Sequence, residues 1–430
     1  MRIFRWLQRQ FLLIAFGALL AVGAVLFLAG AVSKPVTPPP RPAMTQGMSS
    51  GVPLTPREMA FGHERASRAR KIELGYLFYQ AALLAGVFAF GGVRWLAVLV
   101  ARIGRHWLVG LAAVLGIVGL ASTVLMLPLD YYAGFVFDHQ YGLSNQTAVT
   151  WLRDYFVGGG VNAVMGLPVA ALIYALLRRR PDTWWAWVTA VSVPLSIFFI
   201  LLDPVFVAPL FNRFTPLKDQ VLRREILTMA HRQGIPANDV YQVDASRQSN
   251  EVNAYVNGFG PTQRIVLYDT LLKDFTHEEI KHVMAHEIGH YVLKHIPLGI
   301  ALSVAGTFLG SLLLYLASGA ILRRWSGWLG FDSLGHPAGF PLLLILGLGF
   351  SLPAMPFANA VSRRMEWQAD RFAARIDHNN QAGITVYYKL ARLNISDMDP
   401  PRWAQILFGT HPTPRERIAY LEERQKQEDR

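Results

Sequence analysis

The sequence has no cysteine among its 430 residues. Disulfide bonds and thiolate metal ligands are therefore excluded, and a metal centre would have to use other side chains. Charged residues are also scarce: they make up 16% of the chain, compared with about 25% in an average soluble protein. Hydrophobic residues make up 52%, so composition alone favours a protein with much of its length outside water.

Charge is missing altogether from seven apolar runs, each long enough or nearly long enough to cross a bilayer core of about 30 Å as a helix. The predicted spans are Phe11–Val32, Leu74–Val93, Trp107–Leu129, Phe156–Leu177, Trp184–Leu202, Leu298–Leu322 and Phe340–Phe357. Tryptophan, tyrosine and arginine flank several of them, which is typical of membrane interfaces. Buried core helices of a large soluble protein are the alternative, but they do not explain so many flanked runs. The sequence predicts a mainly α, polytopic membrane protein with about seven transmembrane helices.

Positive charge lies beside these runs. The formal net charge is +12, and much of it is arginine next to the predicted spans. This placement favours anionic lipid head groups of the bilayer as partners. No basic patch interleaved with aromatic residues stands out in the polar regions, so nucleic acid is not an expected partner. We expect an integral, multi-pass location, in a bacterial inner membrane, or in the endoplasmic reticulum membrane if the chain is eukaryotic.

Composition divides the chain into six parts. They are an N-terminal transmembrane anchor (1–32), a proline-rich linker (33–73), spans two to five (74–202), an α+β subdomain (203–297), spans six and seven (298–357), and C-terminal helices with a charged tail (358–430). The first part could instead be a cleaved signal peptide, because it has a basic start and a cleavable Ala29-Gly30-Ala31. Its apolar run is longer than the usual run of about 7–15 residues in signal peptides, which favours an anchor.

The longest polar stretch, 203–297, predicts a small α+β subdomain. Apolar residues recur at helical spacing in TPLKDQVLRREILTMAHRQG, and Gly234 is placed to end that helix. DVYQVD and QRIVLYD predict strands, and NEVNAYVNGFG between them predicts an extended segment. Thr276 and Glu279 then form the T-x-x-E signature of a capping box, so a further helix is predicted to start there.

That helix carries HEIGH, with His286, Glu287 and His290. Residues four apart on a helix lie on nearly the same face, so the two imidazoles can reach one ion. Glu287 is rotated by about 100° from His286, so it can reach a water without being a ligand. The motif predicts a zinc site for peptide-bond hydrolysis, with Glu287 as general base. The alternative is a surface helix with scattered histidines, since His282 on the same stripe need not be a ligand.

A zinc site of this type needs a third protein ligand. The candidates downstream of HEIGH are His336, Glu366, His378 and His411. RRMEWQAD places Glu366 and Asp370 four apart on one helical face, which suits a ligand followed by a carboxylate that orients a ligand histidine. A solvated helix face paired with Arg363 or Arg364 explains the same pattern. The local pattern leaves both interpretations open.

Several segments together resemble a known family. HEIGH, NAVSRRMEWQAD and HPTPRERI are similar to segments of the CAAX prenyl protease type 1 family, whose members are integral-membrane zinc metallopeptidases. FDHQYGLSNQTAVTWLRDYF and NAYVNGFGPTQRIVLYDTLL also look like blocks of that family, and the seven predicted spans match its architecture. The resemblance covers most of the chain from about Leu74 onward.

The resemblance implies a gluzincin-type zinc-metalloprotease domain, seven helices around a chamber, and one Zn²⁺ per chain. The implied site residues are His286, His290 and Glu366 for the metal, Glu287, Asp370 and His411 for catalysis, and Asn253, Ala254, Tyr255 and Arg363 for substrate binding. Asn253 to Tyr255 would form an edge strand that holds the substrate backbone, whereas the residues alone favour a plain hairpin strand. The parts 203–297 and 358–430 would then be the catalytic ones.

The spacing of the motif and the spans suggests where the site lies. His290 precedes the sixth predicted span, and Glu366 follows the seventh, by similarly short distances. Both ligand helices are therefore predicted to continue from the membrane, with the site at its interface.

We expect an enzyme, a membrane-embedded zinc metalloendopeptidase acting on membrane-associated or lipid-anchored peptides and proteins. It resembles proteases that process C-terminal CAAX motifs of prenylated proteins. A general quality-control protease of membrane proteins is the alternative within this class. A non-catalytic transporter or scaffold is the alternative of another class, which spans without charged residues disfavour.

Overall fold

The computed structural model describes residues 53–104, 106–257 and 263–430. The first predicted span, Phe11–Val32, lies outside these residues. Within them, six helices are long and apolar enough to cross a membrane. They are Pro56–Ala89, Trp107–Gln140, Ala148–Arg179, Trp184–Leu210, His295–Leu329 and Pro337–Asp377. Each overlaps one of the other six predicted spans, which confirms a polytopic, mainly α architecture.

The first described helix, α1 (Pro56–Ala89), begins well before the apolar run that predicted it. Thr55 and Glu58 form a capping box, and Pro56 occupies the first turn, where its missing N–H costs nothing. Arg392 also pairs with Glu58, at 2.7 Å, which ties the start of α1 to the C-terminal helices. The prediction of a linker reaching residue 73 is therefore wrong for 56–73, because capping and polar contacts form a helix that no apolar run announces.

Four more helices complete the first half of the membrane part. They are α2 (Gly92–Ile103), α3 (Trp107–Tyr131), α4 (Ala148–Arg179) and α5 (Trp184–Leu202). π-helical turns extend α3 over Tyr132–Phe137 and α5 over Asp203–Val207. The sequence indicated only a short connection where α2 lies, but Val93 and Leu96 of α2 are buried in a cluster that joins the ends of several spans.

Large apolar side chains cover the outer faces of these spans. Phe78 of α1, Leu120 of α3 and Val164 of α4 are 74%, 67% and 73% exposed. Such faces are costly in water, but a bilayer solvates them at no hydrophobic cost. The enclosed chamber stays a prediction.

A four-stranded sheet lies between the fourth and fifth described spans in the sequence. Its strands are β1 (Phe214–Pro216), β2 (Val240–Val243), β3 (Ala254–Asn257) and β4 (Arg264–Tyr268). Their order is β1-β2-β4-β3, with β2 and β4 parallel and the other pairs antiparallel. The predicted strands are confirmed as β2 and β4, and the extended segment between them forms β3 at one edge of the sheet.

Helices surround the sheet and complete the chain. They are α6 (Gln220–Arg232), α7 (Asp269–Asp274), α8 (His277–Val292), α9 (His295–Leu329), α10 (Phe340–Asp377), α11 (Asn380–Leu393), α12 (Arg402–Leu407) and α13 (Pro414–Glu428). One core unites Leu222 of α6, Ile265 of β4, Met284 of α8, Val386 of α11 and Leu421 of α13, all of which are almost fully buried. The C-terminal helices therefore belong to the same compact unit as the sheet.

The two helices that carry the predicted metal ligands meet the membrane differently. Helix α10 runs unbroken from Phe340 to Asp377, so its span and Glu366 share one helix, as predicted. Helix α8 ends at Val292, and Lys294 adopts a left-handed conformation with φ 59° before α9 begins. The prediction that the HEIGH helix continues into the span is therefore wrong, because the chain turns at Lys294.

Candidate metal centre and its surroundings

Helix α8, which carries the histidines of HEIGH, is held at its start and along one face. The predicted capping box is present: the Thr276 side chain accepts from the Glu279 N–H, and the Glu279 carboxylate accepts from the Thr276 N–H. Buried Lys389 reaches the same Glu279 carboxylate at 2.7 Å, so the start of the helix is paired as well as capped. Met284 and Ile288 are completely buried on the core side. A helix held at its start and along one face leaves His286 and His290 little freedom.

Glu366 of α10 lies directly opposite these histidines. Its Oε2 atom is 3.2 Å from Nε2 of His286, and its Oε1 atom is 3.4 Å from Nε2 of His290. The two Nε2 atoms are 3.1 Å apart. One ligand atom from each of the three residues lies within 4.8 Å of the others. Antiparallel pairing of α9 and α10 thus returns the chain to HEIGH after 366 − 290 = 76 residues.

The three side chains fit a metal ion. Nδ1 of His286 lies 2.9 Å from Asp370, and Nδ1 of His290 lies 2.9 Å from His295, so both imidazoles can carry their proton there and turn an Nε2 lone pair inward. Glu366 Oε2 is buried and makes no well-formed hydrogen bond. Two imidazole nitrogens and a carboxylate that converge in this way are stable together around a shared proton or around a metal cation. Nitrogen and oxygen ligands in this number suit zinc.

Gly289 allows a close approach of α8 to α10. A Cβ atom placed on Gly289 would lie 3.1 Å from Cδ1 of Phe372 and 3.3 Å from Cα of Ala369. We expect Gly289→Val to lower the thermal unfolding midpoint by several degrees, since overpacking costs about 1–3 kcal/mol, and to weaken metal binding. Thermal unfolding in detergent measures this. Gly306→Val on α9 is the control, because nothing lies within 4 Å of a Cβ there; equal shifts in both variants would contradict the packing argument.

Asp370 is held by more than a histidine. Besides the contact with His286, it accepts a hydrogen bond from the Tyr387 hydroxyl at 2.7 Å and pairs with Arg417. The Arg417 guanidinium also lies 4.2 Å from the centre of the Tyr387 ring. Asp370 is 2% exposed, so its charge depends on these partners. The carboxylate is therefore fixed in place for His286.

Burial and neighbouring groups together shift the pKa values of the HEIGH residues. Burial raises the pKa of Glu287 to about 7, and the Glu366 carboxylate acts in the same direction. Burial and the neighbouring His286 lower the pKa of His290 to about 4, so that imidazole is neutral at pH 7. Burial also favours neutral His286, but hydrogen bonds to Asp370 and Glu366 outweigh it and raise its pKa to about 9. A proton therefore competes with a metal ion for His286.

His411 and Arg363 lie at the open side of the centre. The His411 Nε2 atom is 3.4 Å from Glu366 Oε2, and the His411 side chain is 57% exposed. Arg363, three residues before Glu366, donates to the backbone carbonyls of Gln405 and Gly409. Arg363 thus holds the segment that carries His411.

Strand β3 offers a free backbone edge. Its partner is β4, and no other strand of the described chain pairs with its outer side. The Tyr268 N–H donates to the Asn253 carbonyl, so the alternation of an antiparallel ladder turns the N–H and C=O groups of Ala254 and Val256 outward. The Ala254 N–H already bonds to the Asn253 side chain, at 2.8 Å, whereas the outward N–H and C=O of Val256 meet no backbone partner among the described residues. The backbone N–H and C=O groups of Tyr255 point toward β4. The Tyr255 ring lies edge-on to that of Tyr268.

The other histidines considered as ligands lie elsewhere. His336 caps the turn before α10, and His378 follows the end of α10 with φ 52°. His282 is buried one turn before His286, with Nδ1 3.0 Å from Asp377, and lies outside the group of ligand atoms that converge at Glu366.

The sequence did not single out three residues around the centre, namely Tyr387, Arg417 and His295. Arg417 lies in HPTPRERI, but nothing in that segment shows that its guanidinium is buried. His295 is the last residue of HVMAHEIGHYVLKH, where only the break at Lys294 brings it back to His290.

Two family models together match most of the chain. One, described as CAAX prenyl protease N-terminal, five membrane helices, matches residues 60–213. The other, described as peptidase family M48, matches residues 216–425. The boundary between them falls just before β1. The membrane helices and the compact unit around the sheet are thus each found in known proteins.

Similar proteins come from bacteria and eukaryotes. The uncharacterized metalloprotease YhfN of Bacillus subtilis is 36% identical over 310 residues, which cover 71% of this chain and 72% of that one. A CAAX prenyl protease 1 homolog of Oryza sativa is 32% identical over 325 residues, with 74% and 73% covered. CAAX prenyl protease 1 of Saccharomyces cerevisiae is 30% identical over 329 residues, with 72% and 71% covered.

A solved structure shares the fold. The crystal structure of Ste24p from S. mikatae matches with a TM-score of 0.72 over 95% of this chain and 97% of that one, at 22% identity. These similarities confirm the predicted family, the integral, multi-pass membrane location and the metalloprotease class over a transporter or scaffold. The chain belongs to peptidase family M48, as a membrane-embedded metallopeptidase of the CAAX prenyl protease type 1 group.

Proposed function

We propose that the enzyme holds one Zn²⁺ per chain between His286, His290 and Glu366 and hydrolyses peptide bonds near the lipid-anchored ends of membrane-associated proteins. The convergence of two imidazole Nε2 atoms and one carboxylate is the observation that carries the proposal. When bound, zinc supplies a Lewis acid that polarises a carbonyl and makes water more acidic. Three residues are then enough to hold the ion while one position stays open.

Glu287 acts as general base. It accepts a proton from the attacking water and returns one to the amine that leaves. Burial raises the pKa of Glu287, which makes its carboxylate a stronger base than an exposed one. Asp370 keeps the proton of His286 on Nδ1, and His411 is placed to hydrogen-bond substrate at the open side of the site.

The substrate backbone lies along β3. An extended peptide adds to a strand edge through main-chain hydrogen bonds, and Val256 turns its N–H and C=O groups outward there. Helix α8 packs against β3, so a peptide on this edge runs past HEIGH. Arg363 contributes by holding the segment of His411.

The names of the relatives suggest the substrate class. Several are called CAAX prenyl proteases, which makes a prenylated C-terminal peptide the first substrate to test. Zinc content and cleavage are measured on one purified sample, with prenylated and unprenylated forms of the same peptide. Stoichiometric zinc with a strong preference for the prenylated form supports the proposal. Equal cleavage of both forms would favour general quality control, and a sample without zinc or without cleavage would contradict the proposal itself.

A proline at the edge strand tests the backbone contact. We expect Val256→Pro to lower kcat/KM about tenfold, because the substrate carbonyl loses one hydrogen bond. The fold should survive, since proline is tolerated where the N–H of an edge strand points outward. Peptidase kinetics and thermal unfolding measure the two effects. Val256→Ala is the matched control, which shortens the side chain but keeps the N–H; if it lowers kcat/KM as much as proline does, the side chain rather than the backbone is responsible.

A further inference from the structure

We propose that His295, the first residue of the membrane helix α9, is the positioning residue of His290, and that Gln368 in turn fixes His295. The inference rests on the zinc site proposed above. His290 would then be supported by an imidazole, whereas His286 is supported by the Asp370 carboxylate. His295 and Gln368 also tie the metal centre to both of the membrane helices that follow HEIGH.

Three side chains form an unbroken chain of contacts. His290 Nδ1 lies 2.9 Å from His295 Nδ1, and His295 Nε2 lies 3.0 Å from the Gln368 side-chain oxygen. His295 is only 3% exposed. Its two ring nitrogens therefore depend on these contacts, because a buried polar group without a partner costs free energy. His290 contributes to the metal centre, and Gln368 sits two residues after Glu366 on α10.

The chemistry of the rings allows one assignment of protons along this chain. A ligand that uses Nε2 keeps its proton on Nδ1, so the His290 Nδ1–H must donate. His295 Nδ1 must then accept, which leaves the His295 proton on Nε2. That N–H donates to the Gln368 carbonyl oxygen, which can only accept. Each donor along the chain meets an acceptor, and His290 is held in the tautomer that turns its Nε2 lone pair toward Glu366.

The break between α8 and α9 makes this contact possible. In a continuous helix, residue i+5 is rotated by about 140° from residue i, so His295 would point away from His290. The left-handed backbone of Lys294 redirects the chain, and His295 returns to the ligand ring. A non-glycine residue in this conformation is strained. The contact between His290 and His295, which the turn makes possible, is one interaction that offsets this strain.

The two ligand histidines thus have different supports. His286 donates to Asp370, a carboxylate paired with Arg417, whereas His290 donates to a neutral imidazole. A carboxylate partner makes an imidazole more electron-donating, and a neutral partner does so less. His295 therefore acts mainly through orientation, which a neutral side chain of suitable shape can replace.

Substitutions at His295 test the assignment through zinc affinity. In asparagine, the side-chain oxygen takes about the place of Nδ1, so His295→Asn retains the acceptor for His290. His295→Leu fills the site and retains neither contact. We expect zinc to bind about 10–100-fold more weakly to His295→Leu, as for other outer partners of ligand histidines, and most of the loss to be restored in His295→Asn. Competition against a chelator of known affinity measures both.

Substitution of Gln368 tests whether this residue acts on His290 through His295, an arrangement called the relay below. Gln368→Leu should weaken zinc binding less than His295→Leu, because it removes only the group that fixes the proton of His295. The double variant His295→Leu/Gln368→Leu should bind zinc no more weakly than His295→Leu alone, since Gln368 acts through His295. Additive losses would show that the two residues act separately and would overturn the relay.

Thermal unfolding separates positioning from mere packing. After chelation, His295→Leu and the parent should unfold at similar temperatures, and only the gain on adding zinc should shrink. His336→Leu is the matched control, since His336 lies before α10, whose first residue Phe340 is about 39 Å along the helix axis from Glu366, and its zinc affinity should equal that of the parent. Parent-like affinity in His295→Leu, or a loss that His295→Asn does not restore, would overturn the inference. A parent that binds no zinc would instead refute the proposed function.

Discussion

Glu287→Gln is expected to retain one zinc ion per chain and to lose peptidase activity by a factor of hundreds or more. The amide has nearly the size and shape of the carboxylate, so His286, His290 and Glu366 remain in place. It cannot accept a proton from water, and general-base catalysis contributes about 10²–10⁴-fold. Zinc analysis and single-turnover cleavage on the same preparation measure the two effects.

The matched control is Glu278→Gln. Glu278 lies in the first turn of the same helix, where its exposed side chain pairs with Lys281 at 2.6 Å. The same chemical change there should leave both zinc and turnover at parent values. Near-normal turnover of Glu287→Gln would show that Glu287 is not the base, whereas loss of zinc would assign it a structural role.

Removing Glu366, the proposed third ligand, should affect both zinc content and activity. Glu366→Ala is expected to lose zinc and activity together, because two imidazoles alone bind zinc poorly. Asp370→Ala should weaken zinc binding about 10–100-fold and keep part of the activity, since its effect passes through His286. Metal analysis and chelator competition on the purified variants rank the two.

A second variant of Asp370, one that conserves its volume, is needed as well. Removal of Asp370 leaves the guanidinium of Arg417 buried without its carboxylate, and breaking a buried pair costs about 3–5 kcal/mol. Asp370→Asn keeps the volume and one acceptor, so it separates weakened zinc binding from unfolding. His336→Ala and His378→Ala should bind zinc as the parent does. Parent-like zinc in Glu366→Ala, combined with loss in either histidine variant, would refute the assignment of the third ligand.

Local signals in the sequence predicted much of the site. The capping box of Thr276 and Glu279 located the HEIGH helix, and the four-residue spacing located both imidazoles. The strands β2 and β4 follow from their β-branched residues. Glu366 could be identified only as one of several candidates, because 76 residues and two spans separate it from His290. The resemblance to a known family selected it, and the geometry agrees.

Other features depend on tertiary contacts that no local pattern encodes. The first turns of α1 are polar and looked like a linker, but Arg392 holds Glu58 from the far end of the chain. The turn at Lys294 uses a residue type without a preference for left-handed backbone. Tyr387 and Arg417 are common residues in ordinary helices until packing buries them around Asp370.

Binding of the substrate along β3, as proposed, would limit which bonds of a membrane protein can be cut. Only an extended segment can hydrogen-bond along Val256, so a helical segment has to unwind first. Unwinding inside the hydrocarbon core leaves backbone groups without partners, which makes an intact transmembrane helix a poor substrate. We therefore expect scissile bonds in tails and juxtamembrane segments, where the free energy of unwinding next to the anchor would rank the targets.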